Sequence, residues 1–129
     1  MATGSSRTEY EGALDPGERL VGVMSVDGFF ASAHSLFPSS PAVAFTDRRY
    51  VLFSKRGALK KRVVVDASWP LAEFPGRVNS NEGTALGPYL YVLTLFTDRD
   101  ESVSAGFKRE KDRESFKALV VAAFDPGNS

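Results

Sequence analysis

One histidine and no cysteine are present among the 129 residues, and these two counts restrict what catalysis the chain can support. A zinc site of the His/Cys type needs more ligands than one ring, and thiolate chemistry and disulfides are excluded outright. A Ser-His-Asp triad would rest on His34 alone, and its neighbours Ala33 and Ser35 bring no supporting motif. No GxxxxGK[ST] stretch and no GxGxxG before a helix offers a phosphate cradle. Asp98, Asp100 and Glu101 form a carboxylate cluster, but three carboxylates without further oxygen ligands read first as a solvated turn. Neither catalysis nor a cofactor or metal is expected.

The strongest binding signal is cationic. Arg48, Arg49, Lys55, Arg56, Lys60, Lys61 and Arg62 are seven of the sixteen cations, placed within fifteen residues that contain no acid. The formal net charge is zero, so no whole-molecule field draws in a polyanion and any electrostatic partner must be met locally. Each cation close to an anionic membrane contributes ~1 kcal/mol. The plainer reading is a solvated loop around Gly57 whose positive edge discourages sheet-to-sheet pairing. A second candidate is the apolar stretch with Phe29, Phe30, Leu36 and Phe37, which is either an exposed contact patch or alternates into the core. Single-stranded nucleic acid would need aromatic and basic residues interleaved on one face. Tyr50 and Phe53 beside Arg49 and Lys55 give a thin version of that, and nucleic acid is not expected as a partner.

These residues must be held by strands. Residues 1–13 and 125–129 are small, polar and aperiodic, and are expected to be loose tails around one domain at 14–124. After the turn Asp15-Pro16-Gly17, residues 18–26 read as a first strand and residues 29–37 as a second extended stretch. Residues 42–45 and 50–54, joined by Thr46-Asp47-Arg48-Arg49, read as a hairpin in which Asp47 accepts backbone N–H bonds and both arginines stay solvated. Residues 62–65 carry three valines, residues 71–78 are a weak strand, and YLYVLTLFT at 89–97 is the clearest strand of all. Residues 102–108 alternate, with Val103, Ala105 and Phe107 on one side and a wet face on the other. FTDRD at 96–100 repeats the FTDRR of the first hairpin as the same turn chemistry used twice. Phe116, Leu119, Val120, Ala123 and Phe124 then fall at i, i+3, i+4, i+7 and i+8, which predicts a terminal helix with Asp112 as its N-cap.

Two stretches carry a family resemblance. LDPGERLVG (14–22) places a turn and an acid before the first strand, and AFTDRRYVLFS (44–54) is a strand, a Thr-x-x-Arg turn and a strand. Together with the final helix they resemble pleckstrin-homology-like domains, in particular the small bacterial members related to the GRAM domain. The resemblance implies a mainly β fold, a seven-stranded bent antiparallel barrel capped by one C-terminal helix. It also implies an interaction or adaptor role with a protein partner, docking beside the helix or on a sheet edge. The alternative is peripheral binding to anionic membrane lipids through the basic 55–62 loop. In phosphoinositide-binding relatives the cations lie mainly in the loop between the first two strands, whereas the corresponding GFFASAHSLFPSSP has none. No apolar run nears the ~18 residues of a membrane span, and MATGSSRTEYEG lacks the apolar core of a secretory signal. A cytoplasmic location, peripheral to the membrane in the alternative reading, is expected.

Overall fold

The computed structural model describes residues 7–32, 41–74 and 91–124. In chain order its elements are α1 (Arg7–Gly12), β1 (Leu20–Ser25), β2 (Gly28–Ala31), β3 (Ala42–Thr46), β4 (Arg49–Arg56), β5 (Arg62–Pro70), a 3-10 turn (Leu71–Glu73), β6 (Tyr91–Phe96), β7 (Ser102–Phe107) and α2 (Glu110–Phe124). All strand pairs are antiparallel, in a four-stranded sheet ordered β1-β3-β4-β5 and a three-stranded sheet ordered β2-β7-β6.

The two sheets are joined where one strand bends. The Val26 amide still donates to Pro41 O beside β3, while the next amide, Asp27, donates to Gly106 O in β7. β1 and β2 are therefore halves of one strand that changes sheet within two residues. Seven strands are present, the number the family resemblance implies, but the sheets do not close into a barrel: among the described residues no ladder joins β5 to β6.

Aromatic residues fill the space between the sheets. Tyr50 is fully buried, stacked on Phe45 at 4.5 Å between ring centroids and flanked by Trp69 at 5.8 Å and Phe29 and Phe116 at 6.2 Å. Burial pushes its phenol pKa far above the usual value. α2 closes the core as its stripe predicts: Phe116 and Val120 are buried, and Leu119, Ala123 and Phe124 pack against them. The approach is close. A Cβ on Gly22 of β1 would stand 2.6 Å from Leu119 Cδ1, so the missing side chain there lets the helix settle on the strand.

Several boundaries differ from the sequence expectation, each for a local reason. Residues 7–13 are no tail: α1 is helical, and Tyr10 is buried against Phe53 at 5.0 Å between rings. Asp112 is not the N-cap, because α2 begins at Glu110; Asp112 sits in the first turn and pairs with Arg109, where a carboxylate meets the positive helix end. The second face of β7 is less wet than its alternation suggests: Ser102 is half-buried, and Ser104, paired with Phe30 and Thr94 on the flanking strands, is buried with its hydroxyl 2.8 Å from that of Thr94. β5 runs on from the valines to Pro70 with a bulge at Asp66 between the pairs Phe53–Val65 and Leu52–Ala67. Residues 71–73 are a 3-10 turn rather than strand. The expected strand positions 33–37 and 75–78, and the tail at 125–129, lie outside the described residues.

Candidate functional site

The basic block divides. β4 carries it from Arg49 to Arg56, seven steps that span ~23 Å at the usual strand rise, more than two Debye lengths at physiological salt. Arg48 and Arg49 thus stand at one end of the strand, and Lys55, Arg56, Lys60, Lys61 and Arg62 gather at the other.

At the Arg49 end the chemistry is structural. The guanidinium donates from Nε to Glu18 Oε2 at 2.8 Å and from Nη2 to Glu18 Oε1 at 2.9 Å, and Nη1 reaches Ser68 Oγ at 3.1 Å. The Thr46 hydroxyl donates to Glu18 Oε2 at 2.6 Å and accepts the amides of Arg48 and Arg49 at 3.0 Å each. Burial alone would raise the Glu18 pKa, but the hydrogen bonds from Arg49, Thr46 and the Asp15 amide overcome it and lower the pKa to about 2. The hydrogen bond to Glu18 in turn raises the Arg49 pKa. Arg49 is therefore not a solvated tip residue. The two stretches that carry the family resemblance are the two halves of this network. Asp47 also differs from expectation, since it accepts the Arg19 amide rather than capping its own turn. In the second FTDR turn the Thr97 hydroxyl likewise accepts the amides of Arg99 and Glu101, so the same hydroxyl chemistry closes both turns.

The other end is an exposed turn. β4 and β5 finish at the pair Arg56–Arg62, and residues 57–61 cross between them. Gly57 has φ 139°, and a Cβ there would meet Lys60 O at 2.4 Å, so only glycine makes this turn without strain. The turn presents Leu59 with its whole side chain in solvent, at 102 % relative exposure. Lys60, Lys61 and Arg62 are exposed beside it and Lys55 is half-buried. Arg56 donates to Asp66 Oδ1 from Nη2 at 2.8 Å and from Nε at 3.1 Å, which fixes its guanidinium below the tip. Leu59 was not singled out by sequence reasoning; the available signal was an apolar residue following a glycine inside a run of cations.

The remaining candidates are dispersed. Phe29 is a core residue rather than a contact residue, packed on Trp69 and Tyr50, whereas Phe30 is exposed. Leu36, Phe37 and His34 lie outside the described residues. Tyr50 and Phe53 are buried, so neither offers a stacking face for a base. Asp98, Asp100 and Glu101 surround the Thr97 turn, and among the described residues no group of three His, Cys, Asp or Glu side chains is placed to hold a metal ion. Among the same residues no helix is long and apolar enough to cross a membrane.

No protein-family model matches the chain, and no curated protein matches it in sequence. Among solved structures it is similar to Vav1 inhibited by an allosteric inhibitor, with a TM-score of 0.66 at 13% identity over 91% of this chain. The match spans 31% of the Vav1 chain, which contains a pleckstrin-homology domain. The fold is thus pleckstrin-homology-like: two antiparallel sheets of seven strands with one C-terminal helix.

Proposed function

We propose that this chain is a non-catalytic interaction module, an adaptor that docks on an anionic membrane surface through the β4–β5 loop. The observation that carries the reading is Leu59, fully exposed at the apex of a turn whose flanks hold five cations. A single exposed leucine is common on protein surfaces; what favours a bilayer is its place among cations, since an anionic membrane supplies acyl chains for the leucine and phosphates for the lysines. Burying a leucine is worth roughly 1.5–3 kcal/mol and each adjacent cation ~1 kcal/mol, so the loop supports weak, reversible, salt-sensitive attachment. The fold supports an interaction role in general. A relation to small bacterial GRAM-related domains belongs to the same reading and rests on Glu18, Thr46 and Arg49. An acidic protein partner would use the same cations without needing Leu59.

Vesicle co-sedimentation tests this. The chain is expected to pellet with vesicles containing phosphatidylglycerol, not with pure phosphatidylcholine, and to be released as salt rises. Lys60→Glu/Lys61→Glu should abolish pelleting, and Leu59→Ser should weaken it about tenfold. Absence of pelleting on anionic vesicles at low salt removes the reading and leaves the acidic protein surface; pelleting insensitive to Leu59→Ser leaves only a charge contact with the membrane and contradicts the role given to Leu59.

A further inference from the structure

A surface loop with a glycine in it is ordinarily loose, and a loose loop must be ordered when it docks, which weakens binding. The β4–β5 loop has two features that fix it in the free chain. The first is Gly57. Its φ of 139° lies where side chains are rarely found, and the bare Cα lets the chain fold back until Lys60 O stands inside the space a Cβ would take, with Lys61 Cα 3.3 Å from the same point. The two legs of the loop meet there. Ala58 and Leu59 are the residues that project beyond the meeting point.

The second feature lies at the base. The pair that closes the ladder is Arg56–Arg62, and like charges directly opposite each other push strands apart. Asp66 removes the cause. The β5 bulge inserts it between Val65 and Ala67, and its side chain, only 8% exposed, accepts two hydrogen bonds from the Arg56 guanidinium on Oδ1. Bulges re-aim side chains in this way. With one of the two arginines neutralised, the hairpin stays paired up to the start of the turn.

We propose that Gly57 and Asp66 are positioning residues for membrane docking, which hold the β4–β5 tip in its projecting form before contact so that Leu59 enters an anionic bilayer without any ordering of the loop. The role rests on the membrane reading of Leu59, and both residues act through that side chain. Charge alone would make Asp66 a hindrance beside an anionic surface. Its place at the base of the tip gives it the opposite role.

Two measurements test this. In the free chain, nitrogen-15 order parameters of the Ala58, Leu59 and Lys60 amides are expected near the ~0.85 of rigid backbone and below about 0.6 in Gly57→Ala. Values below about 0.6 in the unmodified chain would overturn the proposal whether or not the chain binds vesicles. The second measurement is the cost of Leu59→Ser in three backgrounds, read by co-sedimentation with phosphatidylglycerol vesicles. In the unmodified chain that cost is about tenfold. In Gly57→Ala and in Asp66→Asn it should shrink to less than about threefold, since a leucine no longer held out has less to lose. Comparison within one background cancels the charge that Asp66→Asn removes. Gly57 lies outside every ladder, so Gly57→Ala decides the matter should Asp66→Asn fail to fold. A tenfold cost in every background contradicts the positioning role and leaves the membrane reading standing, whereas an unmodified chain that does not pellet removes both.

Discussion

Arg49→Ala is expected to lower the unfolding free energy by about 3 kcal/mol, the low end of what breaking a buried ion pair costs. The Glu18 side chain is fully buried and its partner's is 20% exposed, so the substitution leaves a carboxylate held only by the Thr46 hydroxyl and the Asp15 amide. In a domain of this size that loss lowers Tm by roughly 10 °C. Arg49→Lys recovers only part of it, because a single ammonium cannot span both carboxylate oxygens. A urea titration measures both. A change below about 0.5 kcal/mol would reduce the network to an ordinary surface pair.

The same network sets an acid limit. The Glu18 pKa falls from an ordinary 4.5 to about 2 on folding. A lowered carboxylate pKa stabilises the fold above the unfolded value, and the contribution is lost as pH falls from 4.5 toward 2. Urea midpoints taken across that window should fall more steeply for the unmodified chain than for Glu18→Gln, which has no proton to gain.

Phe116→Ala has a comparable or larger expected effect, about 3–5 kcal/mol, because the ring is fully buried and its removal leaves a cavity in the core. Phe116 lies 6.1 Å from Phe45, 6.2 Å from Tyr50 and 5.7 Å from Phe107. It therefore touches both sheets at once, and among the described residues no ladder closes the sheets at their far side. Val121→Ala on the exposed side of the same helix should stay within about 0.5 kcal/mol. Thermal unfolding that separates the two variants confirms α2 as part of the core; equal stabilities would place the helix outside it.

Periodicity made the hairpin β3–β4, the strand β6 and the stripe of α2 legible in the sequence, because each buries a face whose spacing matches its element. The failures share a different cause. Arg49 reads as a surface cation until its partner is known, and Glu18 lies 31 residues away with only a turn motif to mark it. α1 sits in a polar, aperiodic segment, and its anchors Tyr10, Ala13 and Leu14 acquire meaning only against the outer face of a sheet that the rest of the chain builds. The alternation of β7 is legible in the sequence, but the shielding of Ser104 on its second face comes from Thr94 of β6 and Phe30 of β2, and β2 arrives there only through the bend at Val26 and Asp27. The basic block looked continuous because fifteen residues are close in sequence, whereas an extended strand carries its ends far apart.

The chain has no cysteine, so Leu59→Cys offers a single site for an environment-sensitive dye, and Val121→Cys, also on the surface, offers its control. On addition of phosphatidylglycerol vesicles, dye emission at position 59 is expected to shift to the blue and brighten as the tip enters the acyl region, while emission at position 121 stays as in water. Unchanged emission at position 59 while the chain is bound, or equal shifts at both positions, would contradict docking by the β4–β5 tip.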